Sequence, residues 1–178
     1  MKHAGFTLIE IMVVVILFAF IGVIGVNLFS STLRGASKTA VINEIKQSGS
    51  HAISIFERMI RNADEVVPLC DGSKANEVTI VNDDSNQTTF KILPDASLGI
   101  NRIASVSSFL NGGIEQINLT SENITVFDPP NTSYFQCIRQ DGISDRINIV
   151  LTLQQRGVSL PNEKKAAVKF QTSIGLRN

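Results

Sequence analysis

Apolar residues run almost without a break from Phe6 to Phe29. The stretch reads FTLIEIMVVVILFAFIGVIGVNLF, and Glu10 is its only ionisable side chain. As a helix it would be about 36 Å long at ~1.5 Å per residue, enough to cross a hydrocarbon core of about 30 Å. After Asn27 the apolar positions thin to a stripe. Val41, Ile45, Ala52, Ile55, Phe56, Met59, Ala63 and Val67 recur at threes and fours, with larger steps between some of them. Glu44, Lys46, Gln47, Glu57, Arg58 and Arg61 fill the remaining surface. Pro68 should end the helix at or before Val67, because proline excludes the helical conformation of the residue before it. The pattern predicts one helix from about Thr7 to Val67, with weak points at Ser30-Ser31, Gly35 and Ser48-Gly49.

Beyond Pro68 the period shortens to two. Strands are predicted at Val78–Val81, Thr88–Leu93, Arg102–Val106, Gln116–Leu119, Ile124–Phe127, Tyr134–Ile138, Asn148–Leu153 and Val168–Ser173. Turn signals separate them at Asp71-Gly72, Asn82-Asp83-Asp84, Asn111-Gly112-Gly113, Pro129-Pro130 and Asp141-Gly142. Antiparallel strands can face a core on one side and water on the other, and the apolar stripe of the helix supplies a cover for the inner face. The expected fold class is α+β. It has a membrane segment over 6–29, an amphipathic helix over 30–67 and a β-rich head over 68–178.

Composition narrows the function. The 178 residues carry 16 basic and 16 acidic side chains, so no basic face for nucleic acid is indicated. The histidines are His3 and His51, which leaves little for general acid–base catalysis. No GxxxxGK[ST] phosphate loop occurs. Cys70 and Cys137 have no CxxC spacing and no partner histidines, which argues against zinc. In an exported protein they read as one disulfide; in the cytosol they read as two buried thiols. No cofactor and no metal site is expected. Asp83-Asp84 lacks the ligand pattern of a calcium loop and reads as a solvated turn. Sequons at Asn86, Asn118, Asn123 and Asn131 read as chance in a chain rich in Asn and Thr.

Glu10 is the informative residue. A carboxylate near a bilayer centre costs about 2.5–3.5 kcal/mol on insertion scales. A generic anchor could place it at the interface and let it snorkel. If the chain is cut between Gly5 and Phe6, the new amino group lies one helical turn away and is largely protonated at neutral pH (reference pKa about 7.7–8.0). The amine of a neighbouring chain could pair with Glu10 equally well, and the carboxylate would then set register in a polymer. An ordinary secretory signal is the rival reading. The apolar run is too long for one, and no AxA-like site closes it. Lys2 ahead of the run and Arg34 and Lys38 behind it give a weak charge bias. The long polar remainder favours an N-terminus in the cytoplasm and a head outside.

Lys2 and Gly5, then Phe6-Thr7-Leu8-Ile9-Glu10 and the apolar run, resemble the class III signal of type IV pilins and type II secretion pseudopilins. The resemblance covers about 25 residues. It implies a leader over 1–5, cleavage after Gly5 by a prepilin peptidase/methyltransferase, N-methylation of Phe6 and an assembly role for Glu10. It also implies a pilin-like architecture, residence in the lipid bilayer of the cytoplasmic membrane, and partnership with other pilin or pseudopilin subunits and an inner-membrane assembly platform. The destination is a cell-surface or periplasmic fibre. Many major pilins carry a proline in mid-segment; here Gly22 and Gly25 are the only helix-weakening residues there. Phe56-Glu57-Arg58-Met59-Ile60-Arg61-Asn62-Ala63 resembles the first-helix end of larger minor pilins and pseudopilins, which points to a minor subunit. The expected function is therefore structural, not enzymatic, with a non-polymerising, membrane-anchored binding module as the alternative. The same anchor serves adhesion, DNA uptake, motility and secretion, so it selects none of them.

Overall fold

The computed structural model describes residues 7–67, 70–82, 84–109, 112–127, 129, 132–140, 142–157 and 166–176. One helix, α1, runs from Leu8 to Arg61. Its 54 residues correspond to about 80 Å of rise. It is continuous through every predicted weak point. Hydroxyls in the middle of α1 are satisfied locally: Thr32 Oγ1 donates to the Leu28 carbonyl at 2.9 Å and Thr39 Oγ1 to that of Gly35 at 3.0 Å.

The helix stops at Arg61, six residues before the Val67 limit expected from Pro68 (67 − 61). Long-range pairing ends it first. The Asp64 N–H donates to the Val81 carbonyl at 2.9 Å, and Glu65–Val67 forms strand β1 against β3. Ala63 remains in the core, but Val67 is 40% exposed on that strand. Arg58 and Arg61 in the last turn suit the negative end of the helix.

The remaining strands are β2 (Lys74–Ala75), β3 (Glu77–Val81), β4 (Gln87–Asp95), β5 (Ile100–Ser108), β6 (Ile114–Asn118), β7 (Ile124–Val126), β8 (Tyr134–Gln140), β9 (Ile143–Gln155) and β10 (Ala167–Gly175). All eight predicted strands are present. β1 and β2 are additions, too short to show a period. The first sheet has the order β1-β3-β4-β5-β6 and the second β10-β9-β8-β2, every pairing being antiparallel. Gly72, Gly112 and Gly142 take positive φ in turns the sequence marked, and Gly99 does so in one it did not.

β9 organises the second sheet. It carries β10 on one edge and both β8 and β7 on the other. Ser133 fills the gap between β7 and β8: its hydroxyl donates to the Phe127 carbonyl at 2.8 Å and accepts the Thr152 N–H at 3.0 Å. Ile147, Ile149, Leu151 and Leu153 alternate inward along β9, as its sequence predicts. At the β8–β9 hairpin Arg139 Nε donates to Asp145 Oδ1 at 2.8 Å, and Nη2 donates to Oδ2. The Arg139 hydrogen bond holds the Asp145 carboxyl below its ordinary pKa.

Helix and sheets share one core. Val41, Ile45, Gly49, Ala52, Phe56 and Ile60 form the buried stripe of α1. Phe56 meets both sheets edge-on, with its ring 4.8 Å from Phe90 of β4 and 5.8 Å from Phe135 of β8. Gly49 was expected to weaken the helix. Instead it is buried where the Phe170 ring of β10 lies against the helix backbone.

Candidate membrane anchor and assembly segment

Thr7 caps α1. Its backbone is extended (φ −79°, ψ 148°), and its Oγ1 accepts the Glu10 N–H at 3.4 Å. Thr7 and Glu10 stand in the Thr-x-x-Glu spacing of a capping box, a signal in the sequence that would have placed the helix start at Leu8. Glu10 thus sits in the first turn, where the partial positive charge of the helix end favours a carboxylate. Its side chain is exposed. Gly5 and Phe6, expected at the processing junction, lie outside the described residues.

From Leu8 to Phe29 the helix packs against no other element among the described residues. Leu8 is 79% exposed and Phe29 is 67% exposed, and the large apolar side chains between them are bare on every face. Burial of a Val, Leu, Ile or Phe side chain is worth about 1.5–3 kcal/mol, so covering this surface is worth on the order of tens of kcal/mol. The cost of Glu10, a few kcal/mol, cannot outweigh that. Among the described residues nothing supplies that cover, because the buried stripe of α1 begins only at Val41. Residues 31–40, a more polar neck, are also exposed all round.

The two cysteines come together. Cys70, on the way from β1 to β2, is bonded to Cys137 of β8, with Cα atoms 4.7 Å apart and a sequence separation of 67. The Gly72 N–H donates to the Cys137 carbonyl at 2.9 Å, and Gln136 Nε2 donates to the Gly72 carbonyl at 2.7 Å. The bond therefore closes at the crossover between the two sheets.

His51 is exposed on α1, beside Gln47 and Ser48 in an open cleft. Glu44 in the same cleft accepts from Asn123 Nδ2 at 3.2 Å. Asp84 accepts the Asn86 N–H at 3.1 Å, which closes a turn; Asp83 lies outside the described residues. Among the described residues no three His, Cys, Asp or Glu side chains gather in a metal-binding group. Of the sequons, Asn118 is exposed on β6, Asn86 holds a local hydrogen bond to Asp84, Asn123 donates across to Glu44 of α1, and Asn131 lies outside the described residues.

A family model described as the prokaryotic N-terminal methylation motif matches residues 1–26. No curated protein and no solved structure gives a significant match. The matched segment contains the capped start of α1, Glu10 and most of the bare apolar surface. This motif, the class III signal peptide, supports the likeness to type IV pilins and pseudopilins over that segment.

Proposed function

We propose that this chain is a minor structural subunit of a type IV pilus or a type II secretion-like pseudopilus. A prepilin peptidase cuts after Gly5 and methylates the new N-terminus at Phe6. The bilayer then holds the 6–29 segment with its N-terminus in the cytoplasm and the head outside. An inner-membrane platform draws the subunit into a fibre with other pilins, where neighbouring helices replace lipid around the apolar surface. The observation that carries this reading is the bare first half of α1, continuous with a second half that is firmly packed on its own head. The minor role is supported by the resemblance of the Phe56–Ala63 stretch.

Glu10 is the proposed assembly contact. A protonated Phe6 amine of an adjacent subunit, about 4 Å away, would attract it by about 4 kcal/mol at an effective dielectric of 20, before desolvation. The test is Glu10→Gln at equal expression, with sheared fibres and membranes assayed separately and the mature N-terminus read by intact mass. The expected mass is that of a methylated chain starting at Phe6, in both variants. Insertion should be unchanged, and incorporation into fibres should fall. Equal partitioning, with the wild-type subunit located below the fibre tip, would sink the assembly role and leave a membrane-anchored binding module.

A further inference from the structure

Arg34 and Lys38 stand in the neck, the part of α1 that neither the apolar span nor the head covers. They lie four residues apart, and the three-and-four periodicity continues through Val41 and Ile45 of the buried stripe. Both cations therefore occupy the helix face that carries the head higher up. At ~1.5 Å per residue, Arg34 is about 7.5 Å and Lys38 about 13.5 Å beyond Phe29. A bilayer of about 40–45 Å with a core of about 30 Å leaves a headgroup layer of roughly 5–8 Å on each side. Arg34 falls at that layer, and Lys38 reaches back to it on a flexible stem that favours snorkelling.

Neither cation has an ion-pair partner among the described residues. Glu44, further along α1, accepts from Asn123, and Glu122 of the head pairs with Arg102 at 3.7 Å. Two like charges one turn apart on a bare helix repel each other, so the pair is mildly unfavourable until an anion meets it.

We infer that Arg34 and Lys38 form a binding site for the phosphodiester of anionic lipid headgroups, holding the head-side face of the neck against the membrane before assembly. This rests on the proposed insertion of residues 6–29. Charge complementarity and depth select the occupant: the layer at this distance from Phe29 is a sheet of phosphates. Basic residues near an anionic surface each contribute up to about fivefold in association.

The test uses the full chain in nanodiscs of phosphatidylcholine mixed with phosphatidylglycerol. Spin-labelled forms of each lipid report the motionally restricted fraction at the protein. The expected result is several-fold selectivity for phosphatidylglycerol, reduced by salt and brought near one in Arg34→Gln/Lys38→Gln, with phosphatidylcholine association unchanged. Equal association of both lipids with the wild type would overturn the inference, as would selectivity that survives the double substitution. No selectivity, together with fewer fibres from the double variant, would also overturn it and assign the pair to an acidic face of a neighbouring subunit. No restricted fraction with either lipid would instead overturn the anchor itself, and this inference with it.

Discussion

Phe170 of β10 lies against Gly49 of α1, with no room for a methyl group between them. A Cβ at Gly49 would fall inside the van der Waals surface of the ring. Alanine is the better helix former by about 1 kcal/mol, whereas overpacking a core costs about 1–3 kcal/mol. The clash should win. Gly49→Ala is expected to lower head stability by up to about 2 kcal/mol in denaturant titrations followed by circular dichroism. Adding Phe170→Leu should recover part of that loss. Stabilisation by Gly49→Ala alone would show that the ring yields freely.

Phe56 is the point where helix and both sheets meet. Phe56→Ala removes the edge-on contacts to Phe90 and Phe135 and leaves a cavity among residues that cannot all collapse inward. A loss of about 3–5 kcal/mol is expected in the same titration. Membrane insertion should survive, because the apolar half of α1 makes no contact with the described residues of the head. Joint loss of insertion and folding would contradict that separation.

The Cys70–Cys137 bond closes a loop of 67 residues. On the chain-entropy account such closure stabilises by about 4 kcal/mol. Cys70→Ala/Cys137→Ala should therefore lower the denaturant midpoint of the head markedly. Alkylation of native wild-type protein without reductant should label neither sulfur. Two alkylated cysteines in protein taken from its own membrane would refute the bonded state.

Asp145 provides a pH test. Its carboxyl is held below the ordinary range by the Arg139 hydrogen bond, with attraction to that guanidinium adding to the effect. A depressed folded pKa contributes stability that is present above the unfolded value of about 3.9 and is lost as pH falls through the folded value. The stability gap between wild type and Asp145→Asn should therefore be full at neutral pH and should close under acid. Carbon NMR titration should show the Asp145 pKa returning towards normal in Arg139→Gln. A gap that is independent of pH would rule out this ion pair as its source.

Much of this architecture is local and so was legible in the sequence. An unbroken apolar run must be covered by lipid or by other helices wherever it lies, and Glu10 stands out in it because nothing around it is charged. The three-and-four spacing from Val41 to Phe56 and the alternation along β9 each follow from the geometry of a single element. Tertiary structure decided what depends on distant partners. Pro68 marked where the helix had to stop, but pairing of Glu65–Val67 with β3 stopped it at Arg61. Gly49 read as a weak point because its spacing is local, while its reason is Phe170, more than a hundred residues away. Cys70 and Cys137 had two readings until the crossover between the sheets brought their Cα atoms to 4.7 Å. A residue's own period is written in its neighbours along the chain, whereas its contact across the core depends on how every other element closes around it.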